Sequence, residues 1–527
     1  MTTPNTAPST MDALKAWLVG RPEFRPGLLI LAAVVFAGIY FSPTPNSMVQ
    51  LLTEHQPLGY QTETTIIEHL QHLYHDDTID VDEGARKIKV VTGIVVIAAL
   101  LWGTAAMPIG ATAFLIAVIM YMTGLMPVKM ISHLFMKDAV FFIIGALAMA
   151  VGVEKTGLDR RLGLLFLGWT NNKYTFLFVF GPLMAILSMF VSAKCLIAFL
   201  MPVIMRLYKN LCRENGQERN PDLGLFLIFT MIYMTAMGGP GAPTVGARNV
   251  IMMDIFEELG KPMTFIEWMY FGFPFVPVGS IVVGFFLLIA FGRKVPNNIN
   301  PGKHVKKDVE MLGKFTQKEG IMASILLFVV FLWVFASGTY GLGGPAILGV
   351  VLMFVTGIIE WPDMNNKVSW GIVWMYAAAV GLGKVILETG TGLWMAREAF
   401  GFLPTFLTTG EGLLITCSVI TTITTNLMND GAAVAVIGPI TMPMADLAGL
   451  DMWKVGLATA FSSSFAHCLV IGRPGLVIAY TLGTDPETGE RLLSLGKLFK
   501  YGLVLVFISW AVLWGWCFYG YWQFLNF

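Results

Sequence analysis

The sequence predicts an all-α polytopic membrane fold: about eleven transmembrane helices and two re-entrant helical hairpins, arranged as two inverted repeats. Three observations predict it. Of the 527 residues, 56% are apolar and only 13% charged, with a mean hydropathy of +0.70, whereas soluble domains carry roughly 25% charge. Apolar runs near the ~20 residues that cross a bilayer core recur along the chain. Landmarks of the first half also return in the same order in the second. Lys+Arg and Asp+Glu balance at 34 each, so no overall field points to a nucleic-acid partner.

Residues 1–25 are polar, include Lys15, Arg21 and Arg25, and read as a cytoplasmic N-terminus. The apolar run 26–42 has no small-residue cleavage site after it and reads as a retained first transmembrane helix, not a signal peptide. Segment 43–88 is hydrophilic and reads as an extracytoplasmic loop. Its stretch Glu68-His69-Leu70-Gln71-His72-Leu73-Tyr74-His75-Asp76-Asp77 carries three histidines and two adjacent acids. Steps of three rotate around a helix, so His69 and His75 diverge, and a solvated amphipathic helix is expected rather than a metal site.

The first repeat, 89–292, holds spans at 89–106, 108–126, 138–153, 222–237 and 270–292 and a hairpin at 174–207. A basic linker, 293–318, follows with Arg293, Lys294, Lys303, Lys306, Lys307, Lys314 and Lys318, and the positive-inside rule places it in the cytoplasm. The second repeat, 319–527, holds spans at 319–337, 342–359, 370–390, 452–482 and 499–523 and a hairpin at 404–447. Counting crossings puts the N-terminus inside, and outside the uncharged tail with Tyr519, Tyr521, Trp522, Phe524 and Phe527. The expected location is a bacterial-type inner membrane. Cys195, Cys212, Cys417, Cys468 and Cys517 show no paired spacing, and read as small buried hydrophobes.

The repeat is read from spacing. Thr123-Gly124-Leu125 and Glu154 lie 31 residues apart, and Thr356-Gly357-Ile358 and Glu388 lie 32 apart. Glu154 precedes the hairpin break at Ser192-Ala193-Lys194 by 38 residues, and Glu388 precedes the break at Asn429-Asp430-Gly431 by 41. Each hairpin is followed by a proline, Pro202 or Pro439, and then by a Gly/Pro-broken helix leading to Arg248-Asn249 or to Gly472-Arg473-Pro474.

Irregular backbone at membrane depth is tolerated only where protein or a water-filled cavity covers it, so these four breaks should meet. A return helix opens with free N–H groups and positive partial charge, which suits an anion. Ser192, Ala193 and Lys194, with Asn429, Asp430 and Gly431, are therefore candidate ligands of a small anion. Arg248 and Arg473 are added as repeat-related cations suited to bidentate recognition. Lys194 lies among apolar residues, where an ionisable group is costly and a functional candidate. Asp430 could pair with Lys194 or Arg473, bind a cation or carry a proton. His467 titrates in a range that suits coupling, and Asn249, Thr425 and Asn426 complete the candidates for cation or proton coupling. Lys384 and Glu388, four apart, read as a structural pair.

At these residues the chain resembles the divalent anion/sodium symporter family of the ion-transporter superfamily, from about Val90 to the C-terminus. Trp102-Gly103-Thr104-Ala105-Ala106-Met107-Pro108 is similar to its W-x-T-E-A-x-P motif, with Ala105 in place of glutamate, and Glu154-Lys155-Thr156-Gly157-Leu158 to its E-K-x-G-L segment. The resemblance implies a homodimer in which a moving domain works by an elevator-like motion. The family's hairpin tips carry Ser-Asn-Thr; aligned through Pro202 and Pro439, only Ser192 keeps its residue. Its G-T-P-P-N stretches, which complete sodium sites, correspond to Val245–Asn249 and Ile471–Gly475, where Arg248 and Arg473 intrude and Asn249 is kept.

Lys194 and Arg248 would repel Na⁺ from the first such site. The expectation is secondary transport of a small divalent anion (dicarboxylate, sulfate or sulfonate) that is sodium-independent: exchange, uniport, or proton coupling through Asp430 or His467. Sodium-coupled symport is the alternative mechanism, with Na⁺ or H⁺ as coupling ion and no cofactor. A non-transporting membrane subunit or sensor is the alternative of another class. No HExxH, nucleophile elbow or phosphate loop points to an enzyme.

Overall fold

The computed structural model describes residues 17–21, 23–54, 56–57, 63–296 and 299–525. Most of the 1–25 segment and Phe527 lie outside the described residues. The described chain is helical apart from a two-residue antiparallel pair, Gln56–Pro57 with Glu63–Thr64. Among the described residues seven helices are individually long and apolar enough to cross a membrane, or eight if the bent pair Pro26–Phe41 and Asn46–Thr53 counts as one. Shorter apolar helices such as Pro221–Met237 and Gly343–Val355 add to these.

The chain divides into two compact units. The first takes 1–136 together with 370–402, so it draws helices from both halves of the sequence. Helix Pro26–Phe41 packs on Val81–Thr104, where Phe36 lies over Gly93 so closely that a Cβ there would meet the ring at 2.7 Å. The backbones of Gly110 and Gly371 also approach closely: a Cβ on Gly110 would lie 3.1 Å from the Gly371 Cα. Small residues at such crossings are what lets apolar helices pack in lipid.

The described residues of 43–88 carry helices Asn46–Thr53 and Ile66–Tyr74 and the start of Val81–Thr104. Met48, Leu51, Leu52, Ile66, Leu70, Ile79, Ala85 and Ile88 form one buried cluster, and Thr65 and Glu68 close a capping box on helix Ile66–Tyr74. The expected amphipathic helix is present, though only part of its polar face is free. His69 binds Glu388, which also pairs with Lys384 at 2.7 Å. The Tyr74 hydroxyl donates to the Leu125 carbonyl.

The second unit takes 137–369 and 403–527 and contains both hairpins. Asp138, at the start of helix Asp138–Thr156, accepts from the amides of Leu342 and Gly343 at 2.8–3.1 Å. It thereby satisfies the free N–H groups that open helix Gly343–Val355. The basic linker forms helix Pro301–Met311. Arg161 anchors the C-terminal end of that linker, donating to the carbonyls of Leu312, Gly313 and Lys314 and pairing with Glu319 at 2.6 Å.

Each half of the chain yields a hairpin and then a broken helix. The first hairpin runs down 173–187, turns through 188–192 and returns as Ala193–Glu214; the second is Gly410–Leu427 and Asp430–Leu447. Both return arms carry an internal proline, Pro202 or Pro439, where a missing N–H weakens the helix. The broken helices are Pro221–Met237 with Ala247–Glu258 and Met452–Ser462 with Pro474–Leu482. The run 452–482, counted as one span, is interrupted at 463–473, where the sequence places the second broken helix.

Candidate functional site

The four breaks meet through an exchange of partners. Each descending arm packs on the broken helix of its own half: Gly181 touches Met234 in the first, and Thr425 Oγ1 donates to the Ser463 carbonyl at 2.8 Å in the second. Each return arm packs on the broken helix of the other half as well as on that of its own. Ile197 lies over Gly475, close enough that a Cβ there would be 2.7 Å from its Cδ1, and Ile255 lies over Gly438 in the same way at 2.8 Å. Two pairs of helix N-termini are thereby brought side by side: 193 with 474, and 430 with 247.

The second pair is closed by an ion pair between Arg248, only 5% exposed, and Asp430. The guanidinium lies along the loop 238–246: a Cβ on Gly246 would be 3.0 Å from its Nη1, and one on Gly239 would be 2.8 Å from its Nη2 and 2.4 Å from Ser464 Oγ. Glycine at both places makes room for the arginine. Asp430 thus pairs with Arg248 and not with the expected Lys194 or Arg473, because the return helix it opens lies against the N-terminus of helix Ala247–Glu258. The tip is also self-capped, since Asn429 and Asp430 both accept from the Gly431 amide at 3.0 and 2.8 Å. Its N–H groups are partly spent, so its attraction for an external anion is reduced.

The first pair of N-termini is different. Ser192 makes no side-chain cap bond to the return helix, and Ser192 and Ala193 are half-buried. Lys194 is exposed on the first turn, not buried among apolar side chains, because an α-helical turn carries it outward while Leu196 and Ile197 turn inward. Arg473 occupies the N-cap position of helix Pro474–Leu482 without a side-chain cap bond. Its Nη2 reaches the Ile232 carbonyl at 3.3 Å, while its Nε is buried without a partner. Arg248 and Asp430 are among the charged groups that bear on it. The two arginines are not in equivalent positions: Arg473 is the N-cap residue and Arg248 the second residue of its helix.

The coupling candidates separate by hydrogen bonding. Asn426 is spent: its amide donates to Thr422 and Phe465 carbonyls at 2.8 and 3.0 Å, and its oxygen accepts from the Cys468 amide at 2.9 Å. Asn249, fully buried, donates to the carbonyls of Gly239 and Ala242 at 3.0 and 2.7 Å, but its Oδ1 has no partner. The hydroxyls of Ser462 and Ser464 are likewise buried and unpartnered. His467 is fully buried between the rings of Tyr233 and Phe465, its Nε2 3.2 Å from Ser509 Oγ. A further buried cluster escapes sequence reasoning: Lys137 pairs with Asp254 at 3.3 Å and with Glu258. Nothing in the local pattern joins positions more than a hundred residues apart.

Residues 82–522 match the family described as the transmembrane region of sodium:sulfate symporters. The sodium-dependent high-affinity dicarboxylate transporter 3 of Caenorhabditis elegans is 22% identical over 439 residues, 74% of this chain and 77% of that protein. The chloroplastic dicarboxylate transporter 2.2 of Arabidopsis thaliana is 24% identical over 434 residues, 80% of this chain and 76% of that one. The solved structure of the Alcanivorax borkumensis YdaH transporter is similar in fold, with a TM-score of 0.52 at 13% identity, covering 94% of this chain and 99% of that one.

Proposed function

We infer the function from one premise, that the chain belongs to the family of the sodium:sulfate symporter transmembrane region. It is a multi-pass membrane transport protein and not an enzyme, and its cargo is a small anion. The finer reading is that it carries a divalent anion such as a dicarboxylate, sulfate or sulfonate, without sodium. Named relatives that are dicarboxylate transporters support the substrate class.

The observation that carries sodium independence is the Arg248–Asp430 pair, in which the guanidinium is buried and the carboxylate partly exposed. It puts a fixed cation against the loop whose carbonyls and Asn249 would surround a sodium ion. The guanidinium's like charge opposes a sodium ion there, an effect that the paired Asp430 carboxylate reduces. The anion then meets the N-terminus of the first return helix, where Ser192, Ala193 and Lys194 stand, and the adjacent Arg473. Exchange, uniport or proton coupling remain as the driving modes of this reading, in a homodimer of a bacterial-type inner membrane with a cytoplasmic N-terminus. The exchanged packing of the hairpins supports an elevator-like motion in which both travel together.

The unpartnered oxygens of Asn249, Ser462 and Ser464 favour a second reading, sodium symport, since buried neutral oxygens suit a cation. Purified protein in liposomes decides between them. Uptake of labelled succinate or sulfate should be unchanged by a sodium gradient and fall at least tenfold in Arg473→Ala; uptake that requires sodium establishes symport instead.

A further inference from the structure

At one end of the second unit a surface cavity of about 590 Å³ has eight lining residues, among them Lys173, Tyr174, Leu288, Arg293, Lys294 and Pro296. Three of the eight are cationic. Lys173 is 4% exposed and donates to the Gly292 carbonyl at 2.7 Å, which holds its charge at the wall. Lys294 shares its charge with Asp222 at 3.3 Å, where both groups are well exposed and the pairing is weak. Arg293 is exposed and has no acidic partner among the described residues. Arg293 therefore brings to the cavity a positive charge that no acidic group among the described residues pairs with, beside the weakly paired Lys294.

An apolar track leads to the same place. Helix Phe275–Phe291 exposes Ile281, Phe285 and Ile289, and the last is 82% exposed. Spaced by four, they form one stripe that ends a turn before Arg293. Phe178, its ring 4.9 Å from that of Phe285, widens the stripe. Tyr174, 53% exposed, stands at the boundary, where an aromatic ring with a polar end is at home.

We propose that this cavity is a binding site for the headgroup of an anionic phospholipid, with an acyl chain lying along Ile289, Phe285 and Ile281. The phosphate meets Arg293 and Lys294, and the stripe that is already bare to the bilayer receives the chain. A soluble phosphate would engage the cations alone. A lipid engages both features and is present at high local concentration, and basic pockets at the cytoplasmic face are the usual seat of such headgroups.

The test is native mass spectrometry of the purified protein with phosphatidylglycerol, phosphatidylcholine or soluble glycerol phosphate, for wild type and the Arg293→Ala/Lys294→Ala double variant, with gel filtration as a check on folding. Wild type should retain phosphatidylglycerol over phosphatidylcholine, and the double variant should bind phosphatidylglycerol about thirtyfold more weakly, as expected for two surface cations. Equal retention of both lipids, or undiminished retention in a folded double variant, overturns the proposal. Glycerol phosphate binding as tightly as the lipid overturns it too, since the apolar stripe would then contribute nothing. None of these readouts involves transport, so they stand whatever the substrate proves to be.

Discussion

Asn426 and Asn249 are both buried asparagines at breaks of the chain, and their bonding gives them different work. Asn426 has donors and acceptor all satisfied and ties the second hairpin to the loop after Ser464. Asn426→Ala should lower stability by about 2–3 kcal/mol, because it leaves the buried Cys468 amide unpaired and takes one of two donors from the Phe465 carbonyl. Thr425→Val, which removes one bond, should cost about 1 kcal/mol. Thermal unfolding in detergent, followed by tryptophan fluorescence, checks the order. Arg248→Ala tests the other kind of role. With the guanidinium gone, Asp430 and the free Oδ1 of Asn249 face each other's neighbourhood without a cation, so uptake should fall in potassium and recover in sodium. A variant indifferent to sodium would show that Arg248 does not stand in for a bound ion. Sequence reading finds these residues because polar groups at membrane depth are conspicuous. It misses the exposure of Lys194, since a one-residue change of phase around a helix decides which side of a turn a side chain occupies.

Among the elements, the hairpins and the first broken helix are legible from length: an apolar run too long for one crossing, with polar residues at its centre, must turn or break. The second break is legible too, from Ser462-Ser463-Ser464 leading to Gly472-Arg473-Pro474, although the run 452–482 counts as one span; Pro240 and Pro243 flag the first break. The folding of 43–88 is not legible. Its packing depends on Ile66 and Leu70 meeting Met48 and Leu51 across a gap of about one helix's length, which no local period reports. The short helix Trp361–Lys367 illustrates a contact of the same kind, and one with a pH signature. Lys155 at 2.5 Å, aided by the Glu360 amide and Lys367, holds the Asp363 carboxyl well below the usual carboxylate range. A group whose folded pKa is depressed contributes stability above its unfolded pKa of about 3.9 and loses it as pH falls further. The stability difference between wild type and Asp363→Asn should therefore be constant from pH 8 to 5 and shrink below about pH 4. A difference that already shrinks near pH 6 would point to another titrating group.

For the molecule as a whole, the exchange of partners between halves sets what can move. The return arm of the first hairpin lies on the broken helix of the second half, and the return arm of the second hairpin on that of the first. Neither half can rock against the other without pulling Ile197 from Gly475 and Arg248 from Asp430. The buried guanidinium makes the latter costly, because its charge would be left alone. Motion by one composite body keeps every one of these contacts. In a cysteine-free background, Ile197→Cys and Gly475→Cys joined by a short bifunctional thiol reagent with a reducible spacer should accordingly leave uptake within about twofold of the uncrosslinked protein. Abolition of uptake on crosslinking, restored by reduction, would mean that the halves separate during the cycle, and the elevator-like reading would give way to rocking. The result bears on the driving ion as well: if the Arg248–Asp430 pair stays closed throughout the cycle, neither group is free to shuttle a proton, and exchange or uniport is what remains of the sodium-independent modes unless His467 carries it.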